Sequence, residues 1–345
     1  MRVYCFALLF VVLCAATAPD TAQAQYEDVS DLSDLRRVLD VMGTGYADGY
    51  VQPVTDAFGA NMNAGLFRNA DVDAGFLPFV PIKVYVGLTV SGVPTGSLDK
   101  TFTPPAEETL SDGTVITFDG DAVPTAFGST NTPDDATLTV RSPDGTEETI
   151  AAPPGLLDTP IAPLAMPQVG LGTLFGTDAQ LRYLPTSTLS AGGGSYGRVG
   201  LFGVALRQDV NRWIPAPLPL KLAVQGSYNQ FSLENDVSQD SRVERDEVIS
   251  ASGWAFNLQA SRGIPLLPVT LYGGLQYETF SVKYDYVFNP VGTSSDPLRL
   301  SLDQSASNRT RALAGLAIRL AFLEINADYA FAENDVLTTG IGLRL

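Results

Sequence analysis

The chain has 345 residues and a formal net charge of −17, from 38 acidic and 21 basic side chains, and it contains no histidine. An acidic surface disfavours a nucleic-acid partner, because phosphate backbones are bound by basic patches. Without histidine the chain cannot build a Ser-His hydrolase site, and zinc or non-haem iron sites usually include that residue. The composition therefore predicts no enzyme, no cofactor and no metal site. Carboxylate-only chemistry and calcium binding by Asp-rich loops stay open beside the simpler interpretation of solvated loops.

Residues 1–24 have the pattern of an export signal. One basic residue, Arg2, precedes an apolar run, and Ala22-Gln23-Ala24 has the small-residue spacing of a cleavage site. Both cysteines of the chain, Cys5 and Cys14, fall within this stretch. The mature protein is therefore predicted to begin at Gln25, outside the cytoplasm, with no thiol, disulfide or cysteine metal site.

Residues 25–64 are predicted to form a short N-terminal helical segment or plug. Apolar residues recur at helical spacing from residue 25 to about residue 45, and a passage rich in Gly and Asn follows that we predict to be irregular. The segment is either a periplasmic lead-in or a plug folded into a barrel mouth. The candidate plug residues are Leu32, Leu35, Leu39, Phe58, Asn61 and Asn63.

The first strands are predicted at residues 65–74 and 82–90, where apolar residues alternate with polar or small ones. From residue 99 to about residue 166 the alternation stops, and Pro, Asp, Thr and Gly dominate. A structureless loop of that length is improbable. This insertion is therefore predicted to form small hairpins, one of them turning at Asp144-Gly145, either as a lid over one mouth or as a fold into the lumen.

Strand signals resume at residue 168 and continue to the C terminus. Alternation is clearest in residues 309–345, where Leu316 and Ile325 face outward and Gly315 and Asn326 face inward, so polar substitution at the inward pair is predicted to be mild. Compact apolar turns alternate with long polar loops, as in outer-membrane barrels. Residues 65–345 are therefore predicted to be all-β, a transmembrane antiparallel β-barrel of about 12–14 strands in the cell outer membrane, with outer-membrane lipid as its partner.

Charged residues at inward positions are predicted to line the lumen. Arg311 and Arg319 stand opposite Glu324 and Asp328 on neighbouring strands, as expected for cross-strand ion pairs. The network is either a structural filling of a narrow barrel or the polar constriction of a ligand path. Its predicted members are Lys83, Arg182, Arg207, Lys221, Glu278, Arg311, Arg319, Glu324, Asp328 and Arg344.

The layout resembles a known family. A passage through Tyr46, Pro53, Asp56 and Asn61-Met62-Asn63 leads into the first predicted strand, and the body of the chain ends in Ala327-Asp328-Tyr329-Ala330-Phe331. In this respect the chain resembles the FadL-like superfamily of long-chain fatty-acid transporters, and more narrowly the uncharacterised FadL-like outer-membrane proteins of Bacteroidota and their relatives. The resemblance implies uptake of a hydrophobic small molecule past an N-terminal plug.

The alternative function is a structural or adhesion-type outer-membrane barrel with no transport role. A continuous apolar tunnel through the barrel would favour uptake, whereas a lumen packed solid would favour the structural role. The oligomeric state and the identity of any ligand are not encoded in these patterns.

Overall fold

The computed structural model describes residues 44–70, 82–109, 113–131, 136–173, 176–191, 194–215, 218–234, 247–288 and 298–344. Most of the helix predicted over residues 25–45 lies outside these ranges. The described chain forms α1 (Thr44–Met62), β1 (Ile82–Pro94), β2 (Thr101–Phe102), β3 (Glu107–Thr109), β4 (Val115–Asp119), β5 (Val123–Pro124), β6 (Thr137–Arg141), β7 (Glu147–Ala151), β8 (Ile161–Thr173), β9 (Thr177–Ala191), β10 (Gly194–Asp209), β11 (Lys221–Glu234), β12 (Glu247–Gly263), β13 (Val269–Phe288), β14 (Leu298–Ser305), β15 (Thr310–Leu320), β16 (Leu323–Phe331) and β17 (Val336–Arg344). Short 3₁₀ turns occupy Thr95–Ser97 and Asn211–Trp213.

The long strands close an antiparallel barrel. They pair in the order β1, β8, β9, β10, β11, β12, β13, β15, β16 and β17, and β17 pairs back with β1. Strand β14 pairs with residues 281–288 of β13, and β15 pairs with residues 269–277 of the same strand. Strands β14 and β15 therefore share one position in the wall. The all-β class and the antiparallel barrel with an N-terminal helix are confirmed.

The predicted number of 12–14 strands is wrong, because the described residues close the barrel with ten. Two predicted contributions are missing from the wall. Residues 65–70, predicted as the start of the first strand, form turns and bends instead, and the remainder of that prediction lies outside the described residues. The strand-like runs within residues 99–166 pair in two separate small sheets rather than in the barrel.

Side chains alternate between the two faces of the wall. Along β17, for example, buried and exposed residues alternate from Val336 to Leu343. The inward positions are mostly polar, whereas the outward ones form an apolar belt around the barrel. Exposed members of this belt include Val86, Leu88, Trp254, Phe256, Leu258, Leu316, Ile325, Leu337, Ile341 and Leu343. The predicted outward face of the C-terminal strands is therefore correct.

The two ends of the barrel differ. At one end, here called the turn end, short connections join β8 to β9, β12 to β13 and β15 to β16, and β17 finishes there. At the other, the cap end, β1 and β8 are joined by residues 95–160, here called the cap. The cap contains a two-stranded sheet, β2-β5, and a four-stranded sheet, β3-β4-β6-β7. The predicted turn is present at Gly145, whose φ is +88°, and the insertion ends earlier than predicted because β8 begins at Ile161.

Helix α1 occupies a passage that was predicted to be irregular. The prediction rested on glycine, which lowers helix propensity, but glycine is what lets this helix fit a narrow space. A Cβ at Gly59 would lie 2.6 Å from the Cβ of Ala306 and 2.9 Å from a ring carbon of Phe280. Beyond Met62 the chain leaves the helix through Gly65, whose φ of +73° favours glycine. No helix within the described ranges is long and apolar enough to cross a membrane.

Candidate functional site

Residues 44–70, here called the threaded segment, run through the barrel from the cap end to the turn end. Near the cap end, the Thr55 hydroxyl lies 2.7 Å from the hydroxyl of Tyr284, which is in the part of β13 nearest the cap. Eight residues beyond α1, the Ala70 N–H donates to the Ser261 hydroxyl at 3.1 Å, close to the turn end of β12. Residues 63–70 therefore run through the interior from the end of the helix to the turn end. Because they lie inside the barrel, they do not form a strand of its wall.

Two buried arginines of the wall hold the end of α1. Arg182 donates to the carbonyls of Met62 at 3.0 Å and Ala64 at 2.5 Å, and Arg311 donates to the carbonyl of Ala60 at 3.0 Å. These carbonyls belong to the last turn of the helix and the residues after it, where helical partners are lacking and the helix dipole favours positive charge. The wall therefore supplies the C-terminal cap that the helix cannot make itself.

Between the end of α1 and the turn end, amide side chains of the wall also donate to main-chain carbonyls of the segment. Gln276 donates to the carbonyl of Asn63 at 3.2 Å, and Gln225 donates to the carbonyl of Leu66 at 3.4 Å. The Asn63 side chain in turn donates to the carbonyl of Thr279 at 3.3 Å. Because buried backbone carbonyls need donors, these contacts allow a non-helical stretch to cross the interior.

Aromatic side chains fill the space around the threaded segment. The Phe58 ring meets the rings of Phe231 and Phe280 edge to face, with centroids 4.9 and 5.5 Å away. Nearer the turn end, the Phe67 ring meets the Tyr272 ring with a centroid separation of 5.0 Å. Burial of each Phe side chain is worth about 1.5–3 kcal/mol, with a smaller addition from the edge-to-face geometry. These contacts stabilise the segment within the lumen.

An ion pair lies at mid-height in the lumen. Arg311 and Glu278 approach to 2.5 Å, and each side chain is 1% exposed. Gln276 also donates to Glu278. A buried charge without its partner is strongly destabilising, so the pair fixes both strands and the helix end that Arg311 holds.

A second charged cluster closes the turn end. Glu324 lies 3.1 Å from Arg319, 3.6 Å from Arg344 and 3.7 Å from Arg68 of the threaded segment. The Arg68 guanidinium also stacks 3.5 Å from the centre of the Tyr85 ring, within the range of a cation–π contact. One carboxylate therefore joins the threaded segment to two wall strands.

Arg207 makes a parallel connection beside this cluster. It pairs with Asp178 and donates to the carbonyl of Asn69. A small void between the two groups has a volume of about 30 Å³, and its lining includes Arg68, Asp178, Arg207 and Glu324. Such a space holds about one water-sized group, and five of its lining residues carry charged side chains.

The start of α1 belongs to the cap. Tyr46 and Tyr50 are buried in a cluster with cap residues that include Ile116 and Leu138. The Tyr50 hydroxyl donates to the carbonyl of Pro154 at 2.8 Å. Burial raises the pKa of both phenols above the usual value, so they stay neutral. The threaded segment is thus part of two cores, one in the cap and one in the lumen.

The comparison with protein families decides what the chain is related to. The model of a family of unknown function, DUF6588, matches residues 1–345. The chain belongs to the DUF6588 family. None of the curated proteins matches it.

Solved structures similar to this DUF6588 chain are β-barrels. The β domain of the Bordetella autotransporter BrkA is 10% identical, with 76% of this chain and 99% of that chain covered and a TM-score of 0.33. The translocator domain of the Neisseria meningitidis autotransporter NalP is 13% identical, with coverages of 92% and 97% and a TM-score of 0.24. The Yersinia pestis protein Ail is 14% identical, with coverages of 49% and 98% and a TM-score of 0.22. At these values the likeness carries no functional argument, and the FadL-like resemblance stays a prediction.

The lumen of the DUF6588 chain contains most of the residues predicted for it. Arg182, Arg207, Glu278, Arg311, Glu324 and Asp328 are buried there, and Lys221, Arg319 and Arg344 are partly buried near the turn end. Lys83 lies in β1, but its side chain is outside the described part of the structure. Of the predicted plug residues, Phe58, Asn61 and Asn63 are buried in the lumen, whereas Leu32, Leu35 and Leu39 lie outside the described residues.

One predicted pairing within this set is correct and one is wrong. Arg319 pairs with Glu324 directly across β15 and β16, as predicted. Arg311 instead pairs with Glu278 on β13, and Asp328 accepts a 2.8 Å hydrogen bond from Tyr272. The reason is that β15 has a neighbour on each side, and strand alternation alone does not show which one an inward side chain meets.

Sequence reasoning missed several interior residues. Arg68 falls within the strand predicted at residues 65–74, and no lumen role was predicted for Asp178, Gln225, Gln259 or Gln276. The signal for Asp178 was available, since it stands at even spacing from the inward Arg182. Arg68 has no such pattern, because it acts from a non-strand segment.

Gly315 also differs from its prediction. It was expected to tolerate a polar side chain because it faces inward. A Cβ at Gly315 would lie 2.5 Å from the carbonyl oxygen of Ala327 and 2.6 Å from the ring of Tyr272. The Tyr272 ring covers this glycine, so the position is closed to any side chain.

Proposed function

We propose that this DUF6588 protein is an outer-membrane β-barrel with its turn end in the periplasm and its cap outside. The proposal is supported by an antiparallel wall that closes on itself and by the apolar belt on its outer face. In lipid every backbone polar group must be paired, and a closed barrel achieves this with strands. Short turns on the periplasmic side and longer connections outside are usual for such proteins. Export through the predicted leader is part of this proposal.

The role we propose is structural or adhesive, with the cap as the exposed functional surface. The observation that carries it is the filled lumen. Residues 55–70 of the threaded segment occupy the barrel, and their polar backbone is held by Arg182, Arg311, Gln225 and Gln276. An eight-stranded barrel is filled by side chains and one of 16–18 strands leaves an aqueous channel, so a barrel of ten has room for little more than this segment. The proposed role involves no catalysis and no cofactor.

Uptake of a hydrophobic molecule has less support. A groove of about 1310 Å³ on the barrel is lined by outward residues of the apolar belt, such as Phe256 and Leu258, and by buried inward residues such as Gln225 and Arg311. Its outward part opens to the lipid side. Inside, the described residues along the threaded segment present guanidinium, carboxylate and amide groups. A hydrophobic ligand passing through the lumen would have to displace the whole segment.

The proposal is tested by the behaviour of the intact protein. Purified in detergent, it is expected to migrate differently before and after heating on a gel, and in planar bilayers it is expected to give no stable channel steps. Recovery as a soluble periplasmic protein after osmotic release would refute the membrane assignment. A stable open conductance, or a saturable shift of the melting temperature by a long-chain fatty acid, would favour uptake over the structural role.

Leu316 offers a test of the membrane-facing belt. Replacing it by Arg places a charge in hydrocarbon and is expected to lower the free energy of unfolding in lipid vesicles by about 2–4 kcal/mol near the midplane. Thr149, which is exposed in the cap strand β7, is the matched control, and Thr149→Arg is expected to change stability little. An equal effect at both positions would mean that the belt does not face lipid.

A further inference from the structure

The direction of the threaded segment determines where the preceding residues emerge. We propose that the part of the chain N-terminal to Thr44 leaves the protein at the cap end and is displayed outside the membrane, beside the cap. The inference rests on the proposed function for the orientation of the barrel. It adds a role as a carrier that presents an N-terminal peptide at the cell surface.

The beginning of the segment is fixed at the cap end. The Gly45 N–H donates to the Glu108 carboxylate of β3, at 3.2 and 3.3 Å to its two oxygens. One turn later the carbonyl of Tyr50 accepts from the N–H of Ala126 in the cap at 3.0 Å. A Cβ at Gly49 would overlap the ring of cap residue Phe102. The first turns of α1 are therefore enclosed by the cap rather than by the barrel wall.

The other end of the segment is fixed at the turn end. Ala70 is held by Ser261, and Arg68 reaches Glu324 next to the last strand. Between these points Asn61 donates to the carbonyl of Ala162 at 2.8 Å, near the cap end of β8. The order of these contacts along the chain runs in one direction, so the segment enters at the cap and leaves at the turn end.

The described residues pack tightly along the threaded segment. In the described part of the segment, the residues from Thr55 to Ala70 are all buried, and Ala57, Ala60 and Met62 are 0% exposed. The void beside Arg68 has about 30 Å³, enough for about one water-sized group. Because the segment is buried along this length, the inference takes residues before Thr44 to continue outward from the cap end rather than back through the barrel.

The way the wall holds the segment suits a carrier. Arg182, Arg311, Gln225 and Gln276 contact main-chain carbonyls, which every residue type presents. These contacts therefore depend on the main chain of the segment and not on the sequence that precedes it. A displayed peptide can differ while its anchor stays the same.

The experiment uses the full chain and single thiols. A Gly-Ser-Cys-Gly-Ser insertion directly before Thr44 is compared with Asp144→Cys in the cap turn and Leu266→Cys at the turn end, where the side chain is fully exposed. Asp48→Cys, at an exposed position in the first turns of α1, is a second variant with a smaller change. Intact and permeabilised cells are treated with a membrane-impermeant maleimide, and the unaltered chain controls for Cys5 and Cys14.

The insertion and Asp48→Cys are expected to label in intact cells to the same extent as Asp144→Cys, while Leu266→Cys labels only after permeabilisation. Heat-modified migration on a gel shows that each variant is folded. If Asp144→Cys labels in intact cells but the insertion and Asp48→Cys label only after permeabilisation, the inference fails and the proposed orientation stands. If Leu266→Cys labels in intact cells and Asp144→Cys does not, the proposed orientation fails, and the displayed peptide fails with it.

Discussion

Replacing Arg311 by Met is expected to lower the free energy of unfolding by about 3–5 kcal/mol, because the buried Glu278 carboxylate loses its partner. Both side chains are 1% exposed, so solvent cannot compensate the remaining charge. The carbonyl of Ala60 at the end of α1 loses a donor as well. Urea unfolding of the detergent-solubilised protein, followed by tryptophan fluorescence, measures the change.

Two controls separate burial from charge removal. Arg141 pairs with Glu147 in the cap, with side chains 63% and 52% exposed, and Arg141→Met is expected to cost under about 1 kcal/mol. The double variant Arg311→Met with Glu278→Leu is expected to recover most of the loss, because an apolar pair of similar volume replaces a buried ion pair at little cost. A loss for Arg311→Met no larger than for Arg141→Met would show that the lumen is wet and the pair is not buried.

Deleting residues 25–70 is expected to convert a closed barrel into an open one. The wall ladder includes none of the described residues 44–70, so the barrel is expected to remain folded. The lumen would then be lined by groups such as Arg182, Arg207 and Gln225, which water can hydrate. In planar bilayers the variant is expected to show stable channel steps that the intact protein lacks, with a preference for anions from the exposed arginines.

The cap needs its own control in this experiment, because Tyr46 and Tyr50 belong to its core. Tyr50→Ala disturbs the cap and leaves the lumen contacts of the segment in place, so it is expected to keep the barrel closed. If Tyr50→Ala opened the barrel as widely as the deletion, the cap and not the threaded segment would be the seal. If the deletion variant folded and stayed closed, the wall itself would fill the lumen.

The contacts of the threaded segment also explain why it closes the barrel firmly. The threaded segment contributes Arg68 to the Glu324 cluster and Phe58 to an aromatic group of the wall, while its first turns complete the cap. Withdrawal in either direction breaks contacts in the cap or in the lumen. An opening of this protein would therefore require the cap and the segment to move together.

Much of the fold could be predicted from local pattern. Strand alternation depends only on successive side chains pointing to opposite faces, so the outward Leu316 and Ile325 and the inward Arg182 and Glu324 were identified from their spacing. The turn at Gly145 could be predicted because its positive φ favours glycine. These features were determined by the sequence itself.

Long-range packing decided the rest. The helix around Gly59 was missed because helix propensity disfavours glycine, while the contact that requires glycine comes from Ala306 and Phe280, far away in the chain. The partner of Arg311 depended on which of two neighbouring strands carries the facing carboxylate. The strand count depended on whether residues 65–70 join the wall, and their carbonyls are instead satisfied by side chains such as Gln225 and Arg207. Only the closed barrel brings these groups together, so only the tertiary structure shows a lumen filled by the chain's own N-terminal segment.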